Sequence, residues 1–160
     1  MDLRVGLGVD AHAFVEGVQL VIGGVAIEHP RGLAGHSDGD VIAHALIDAL
    51  LGAAGLGDIG TLFQSGDERY RDASSLDLLR QAYEKVRGVG FELVNADCVL
   101  VGEEPRIAEL RDEMCERLAQ ALGVEKGRVT VRATTTDGLG FSGRREGLAA
   151  QAVVLLTRSG

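Results

Sequence analysis

The chain has 160 residues, enough for one domain of ordinary size and too few for two. Its 46% apolar and 25% charged residues predict a packed globule, and its net charge of −8 argues against a nucleic-acid binder working through a broad basic face. The 23 glycines are scattered without a period, which excludes collagen-like and low-complexity chains and predicts tight turns and close backbone approaches.

Leu3–Val9 alternates Leu3, Val5, Leu7 and Val9 with Arg4, Gly6 and Gly8, the period of a strand. Leu20–Ile27 carries Gly23-Gly24 at its centre and predicts a hairpin. Asp40 to Ala54 predicts a helix with a broad apolar face, broken by Gly55, Gly57 and Gly60. Phe63 to Asp72 is polar and aperiodic, an exposed mobile loop. Ser74 to Asp77 resembles a capping box ahead of a helix through Leu76, Leu79, Tyr83 and Val86. Phe91–Val101 predicts a strand, Pro105 a helix start running to Gly123, and Val129–Thr135 and Ala149–Thr157 two closing strands. The order predicts a single α+β domain over residues 1–160, a mixed sheet with helices on one face. With no tryptophan, two tyrosines and four phenylalanines, the other face is expected to pack against further copies of the chain.

No apolar run reaches the ~18 residues of a membrane span, and no basic, apolar leader opens the sequence. Cys98 and Cys115 lack a paired spacing. These features predict a cytoplasmic protein that binds neither membrane nor nucleic acid.

The histidines fall in the first third of the chain, three of them near acids. Asp10 and His12, two apart on a strand, face one side. Asp40 and His44, four apart, share a helical face. One Asp and two His make a three-ligand zinc site with an open fourth position; the plain alternative is capping acids and surface imidazoles. His36-Ser37-Asp38-Gly39-Asp40 leads into a helix N-terminus, either an anion site or an N-cap. Asp58, in a glycine-rich turn, is a sugar-hydroxyl acceptor or a structural turn residue. Thr134-Thr135-Thr136-Asp137-Gly138 offers hydroxyls to a phosphate and a carboxylate to a hard cation, or is a β-rich end with a turn. Arg144-Arg145-Glu146 is a solvated cluster or lines an oligomer axis.

Together these segments resemble the 2-C-methyl-D-erythritol 2,4-cyclodiphosphate synthase family. The resemblance rests on Gly-Val-Asp10-Ala-His12, Ile22-Gly-Gly-Val, His36-Ser-Asp-Gly-Asp40 with His44, Asp48-Ala-Leu-Leu-Gly-Ala, Gly55-Leu-Gly-Asp-Ile-Gly60 and Ala133-Thr-Thr-Thr-Asp-Gly-Leu-Gly-Phe-Ser-Gly-Arg144. It covers residues 3 to 156. It implies a homotrimeric, CMP-releasing lyase of non-mevalonate isoprenoid synthesis, with active sites between subunits. Asp10, His12 and His44 look like zinc ligands, and Asp137 like the ligand of a second ion, magnesium or manganese. Asp10, His12, His44, Thr135 and Asp137 then form the catalytic set. Ser37 and Thr135 look like phosphate contacts, with Arg106 at the diphosphate. His36, Asp48, Asp58, Gly60 and Phe63 match the methylerythritol end, while Ala133, Thr134, Thr135 and 102–108 match the cytosine nucleotide pocket. Phe141 joins the substrate contacts; Arg144 and Glu146 fall near the threefold axis, where an isoprenoid diphosphate is expected to bind.

Three departures from the family pattern stand out. Asp137 replaces the usual Glu, Arg106 the usual Lys, and Gln64-Ser65 the usual Pro-Asp. Asp is one methylene shorter than Glu, and a planar guanidinium replaces a compact ammonium. A zinc hydrolase that activates water and a non-enzymatic anion- or isoprenoid-binding trimer are the competing readings.

Overall fold

The computed structural model describes residues 1–64 and 66–160. Its frame is a long antiparallel pair. β1 (Leu3–Glu16) runs beside β7 (Gly147–Arg158), in register from Leu3 opposite Thr157 to Ala13 opposite Gly147. β4 (Arg31–Leu33) extends the far end of β1. β5 (Phe91–Val101) lies antiparallel to β7, and β6 (Val129–Thr134) lies parallel to β5. The sheet order is β4-β1-β7-β5-β6, a mixed sheet. β2 (Leu20–Ile22) and β3 (Val25–Ile27) form a separate hairpin. Both turn residues, Gly23 and Gly24, have positive φ (59° and 78°), which is why glycine stands there.

Three long helices pack on one sheet face: α1 (Val41–Ala54), α3 (Ser75–Gly88) and α4 (Arg111–Leu122). α2 (Ile59–Leu62) and α5 (Gly140–Gly143) are single turns. α1 is buried along nearly its whole circumference, wedged between β1, β7 and α3, so its Leu, Ile, Val and Ala residues need no polar side.

The face of β1 that meets α1 is made of glycine. A Cβ on Gly6 would stand 1.9 Å from the Ala49 carbonyl oxygen, and one on Gly8 1.8 Å from that of Ala45. Helix and strand therefore approach more closely than any side chain permits. The apolar residues of the same strand point the other way: Val5, Leu7 and Val9 are 70%, 62% and 56% exposed. Val153, paired with Leu7, continues this strip on the helix-free face.

The structure changes five expectations. β1 runs on to Glu16, because its far end pairs with β4. α4 begins at Arg111 rather than Pro105: the Leu110 N–H closes a tight turn on the Ile107 carbonyl, and Asp112 and Glu113 complement the dipole at the real start. Gly57–Gly60 is more than a break, since Asp58 caps α2. Ser74 sits at the N-cap of α3 but makes no side-chain cap bond; the Ser75 N–H instead goes to Asp38 Oδ2 at 3.0 Å. In the predicted 63–72 loop, Glu68–Tyr70 forms a 3₁₀ turn and Phe63 is buried edge-on against Tyr70. Ser65 of that segment lies outside the described residues.

Candidate metal centre and ligand pocket

Asp10 and His12 lie on the same face of β1 as Gly6 and Gly8, just past the glycine contact with α1. His44 is on the first turn of α1 and is nearly buried. The close strand–helix approach brings the three side chains together. His12 Nε2 lies 2.7 Å from Asp10 Oδ2, His44 Nδ1 lies 3.2 Å from the same oxygen, and the two nitrogens are 3.1 Å apart.

Asp10 Oδ2 is buried yet accepts no well-aligned hydrogen bond, despite the nearby imidazoles. Three ligand atoms facing one another, with an orphan carboxylate oxygen among them, fit a divalent ion bound by three protein ligands with a position to spare. Burial works to raise the Asp10 carboxyl, but the adjacent His12 and His44 rings outweigh it and hold it at about 2. Burial likewise works to lower His12, and Asp10 reverses this and raises it above its ordinary value.

Asp40 does not join the cluster. It is fully buried, with Oδ1 accepting from the Ala43 and Gly23 N–H groups (3.1 and 2.8 Å) and Oδ2 from Gly24 N–H (2.7 Å). It caps α1 and pins the β2–β3 turn to it. Burial, with the charge of Asp38 added, raises its carboxyl to about 6 against those three donors.

Ser37, from the 36–40 segment, places Oγ 2.9 Å from His44 Nε2. His36 holds the following loop through Nε2 to the Asp67 carbonyl (2.8 Å) and through its own carbonyl to the Asp72 N–H (2.8 Å). Asp48, one turn beyond His44 on α1, accepts from the Ile59 N–H at 2.7 Å, and its half-burial raises its carboxyl. Asp58 spends Oδ1 on the Thr61 N–H and hydroxyl, both at 2.8 Å, which lowers its carboxyl. Its structural role as a cap is thus real.

A second concavity lies at the other edge of the sheet. Gly102, Glu103, Pro105, Arg106, Ile107, Ala108 and Arg111 form one wall and Ala133, Thr134 and Thr135 the other, around about 350 Å³. These are the two segments matched to a nucleotide pocket, with Arg111 as the addition that sequence reasoning missed. Glu103 Oε1 accepts from the Gly138 N–H at 3.0 Å, fastening the Asp137–Gly138 turn to the pocket wall. Asp137 has φ 52° and exchanges hydrogen bonds with Thr135 Oγ1 at 3.2 Å. Phe141 belongs elsewhere: it shares a shallow cavity with His12 and Glu146. Arg144 is exposed and paired with Glu146 at 2.9 Å.

The two sites share one row of the sheet. Asp10 pairs with Ala150, Ala150 with Leu100, and Leu100 with Ala133. Three strand spacings of ~4.8 Å separate the ends by ~14 Å. The residues between them, Ala150 and Leu100, are 0% and 2% exposed under the helices, so within one chain a core stands on the direct line between cluster and pocket.

Comparison with known proteins agrees with this geometry. Residues 3–157 match the YgbB family. The 2-C-methyl-D-erythritol 2,4-cyclodiphosphate synthase of Rubrobacter xylanophilus is 62% identical over 159 residues, covering 98% of this chain and 96% of that protein. The bifunctional IspDF structure from Campylobacter jejuni superposes with a TM-score of 0.95 at 45% identity; the match covers 98% of this chain and 42% of that one. The Plasmodium falciparum IspF structure, a CDP complex, superposes with a TM-score of 0.86 at 29% identity, covering 99% and 97% of the two chains. The cluster, the pocket and the sheet that spaces them thus fall inside one full-length match, and the chain belongs to the YgbB family, alongside relatives named 2-C-methyl-D-erythritol 2,4-cyclodiphosphate synthase.

Proposed function

We propose that this chain, as one domain over residues 1–160, converts 4-diphosphocytidyl-2-C-methyl-D-erythritol 2-phosphate to 2-C-methyl-D-erythritol 2,4-cyclodiphosphate and CMP. The observation that carries the reading is the convergence of Asp10 Oδ2, His12 Nε2 and His44 Nδ1 in a chain whose far sheet edge carries the family-matched nucleotide pocket. The reaction belongs to non-mevalonate isoprenoid synthesis and runs in the cytoplasm; among the described residues no helix is long and apolar enough to cross a membrane.

An oxygen of the substrate's 2-phosphate attacks the β-phosphorus. The new P–O bond closes the ring as the bond from the β-phosphorus to the bridging oxygen breaks and CMP departs with that electron pair. No protein nucleophile and no water are consumed. The chain's task is to fold the substrate back on itself, and holding both reacting groups in one site is worth ~7–11 kcal/mol of effective concentration. Asp10, His12 and His44 would hold a zinc ion that would supply Lewis-acid polarisation at phosphate oxygens, and Asp137 would hold a magnesium or manganese ion that would neutralise the diphosphate. These ions matter on a chain of net charge −8 that binds a polyanion.

The remaining roles follow position. Thr134 and Thr135 offer hydroxyls to the phosphates and Arg106 its guanidinium to the diphosphate. Ala133 and the 102–108 backbone enclose the cytosine. Ser37, His36, Asp48, Asp58, Gly60 and Phe63 hold the phosphorylated tetrol.

The working unit is a homotrimer whose cluster faces the nucleotide pocket of a neighbouring copy. The buried row between Asp10 and Ala133 supports this, as does the apolar strip Val5, Leu7, Val9 and Val153, which needs cover. Arg144 and Glu146 then lie toward the axis, where an isoprenoid diphosphate binds, and Phe141 is a substrate contact.

The test is incubation with the diphosphocytidyl substrate, zinc and magnesium, read by phosphorus NMR and CMP release. A cyclic diphosphate with one CMP per turnover is expected. A ring-opened phosphate product would assign a hydrolase instead, and no CMP a binding module. His44→Ala is expected to lose both the ion and the turnover while staying folded; stoichiometric zinc in that variant would remove His44 from the ligand set.

A further inference from the structure

Ser75 is a fully buried hydroxyl at the head of α3, and it neither caps its helix nor lines the ligand pocket. It sits instead between Asp38 and His44. Its hydroxyl donates to Asp38 Oδ1, and its own N–H donates to Asp38 Oδ2 at 3.0 Å. Asp38 is fixed in turn by the Asp40 N–H at 3.1 Å. On the other side, Ser75 Oγ lies 2.9 Å from His44 Nε2.

A serine hydroxyl has one hydrogen, and an ionised carboxylate can only accept. Ser75 therefore gives its hydrogen to Asp38 and must receive at His44. The proton of the neutral imidazole is then on Nε2, and Nδ1 presents its bare lone pair to Asp10 and His12. We propose that Asp38 and Ser75 are positioning residues that fix the His44 tautomer and ring orientation for the divalent ion, and that Ser37 is not. Ser37 Oγ is also 2.9 Å from His44 Nε2, but it is only half-buried and its further partners, Ser75 Oγ and the Gly39 N–H, are both distant at 3.4 Å. It is free to turn to a ligand phosphate, while Ser75 stays. Partners of this kind, behind a metal-bound histidine, typically govern 10–100-fold in metal affinity.

The inference rests on the proposed metal centre, and the experiment separates the two. Zinc affinity is measured by competition with a chromophoric chelator on the intact protein, alongside nitrogen-15 NMR of the metal-free His44 ring. Ser75→Ala is expected to weaken zinc binding by ~10–100-fold and to abolish the single Nε2–H tautomer. Ser75→Thr, which keeps the hydroxyl, restores both, and Ser37→Ala leaves zinc affinity unchanged. Wild-type zinc affinity in folded Ser75→Ala would overturn the proposal. Should that variant fail to fold, the wild-type spectrum decides alone, since an Nδ1–H tautomer in the metal-free protein contradicts it. If His44→Ala also keeps zinc, the fault lies with the metal centre.

Discussion

The two ends of the proposed site are built differently. At the cluster, side chains carry the function and are locked: Asp10, His12 and His44 are buried or half-buried, and the Ser75 hydroxyl holds the far side of the His44 ring. At the pocket, the course of the backbone carries it: Arg106, Ala133, Thr134 and Thr135 are exposed, and Glu103 acts by holding a neighbouring turn. A centre that must present ligand atoms at fixed separations gains from burial and cross-bracing. A pocket that admits a flat base and a flexible phosphate chain gains from openness. The cluster should therefore fail through distant packing changes, and the pocket only through changes at its wall.

The largest effect should come from Gly8→Val. Its Cβ would stand where the Ala45 carbonyl oxygen lies 1.8 Å away, so α1 must lift from β1 and carry His44 off Asp10. A destabilisation of about 4 kcal/mol or more in urea unfolding is expected, with loss of zinc. A variant with wild-type stability would show that the close approach does not position the cluster.

Ala133→Trp should act in the opposite way. Filling the cavity with an indole is expected to reduce CMP release by about 100-fold or more, a cost of roughly 3 kcal/mol in transition-state binding. Zinc content and unfolding midpoint should not change. Zinc loss in this variant would mean the two ends are not independent within a chain.

Asp137→Glu is the mildest test. Glutamate restores the usual reach to a second ion, so activity is expected to hold or to rise up to several-fold in a magnesium titration of CMP release. A large loss in folded protein would assign Asp137 another role.

The same contrast explains what the sequence disclosed. Asp10-Ala-His12 and His44 could be read as a metal set because strand and helix periods place them on facing sides. The 102–108 wall could be read only by resemblance, since nothing in its composition marks a cavity. The alternation in β1 predicted a strand, but it did not reveal that glycine faces the core. That inversion depends on α1 lying within touching distance, a tertiary fact visible only as the cost of a Cβ at Gly6 or Gly8. Ser75 was misread as part of a capping box because its partners, Asp38 and His44, are more than 30 residues away. Pro105 was misread as a helix start because the acids that mark the true start, Asp112 and Glu113, lie beyond an irregular wall of the pocket.

The central claim is that one active site draws its cluster and its pocket from different copies of the chain. Subunits carrying His44→Ala and subunits carrying Ala133→Trp, each inactive alone, are dissociated reversibly, mixed and reassembled, and CMP release is measured. In a shared-site trimer, some hybrid interfaces pair an intact cluster with an intact pocket, so the mixture should regain part of the wild-type activity. A mixture that stays inactive, although native mass spectrometry shows that hybrids have formed, would place the whole site within one chain and contradict the account.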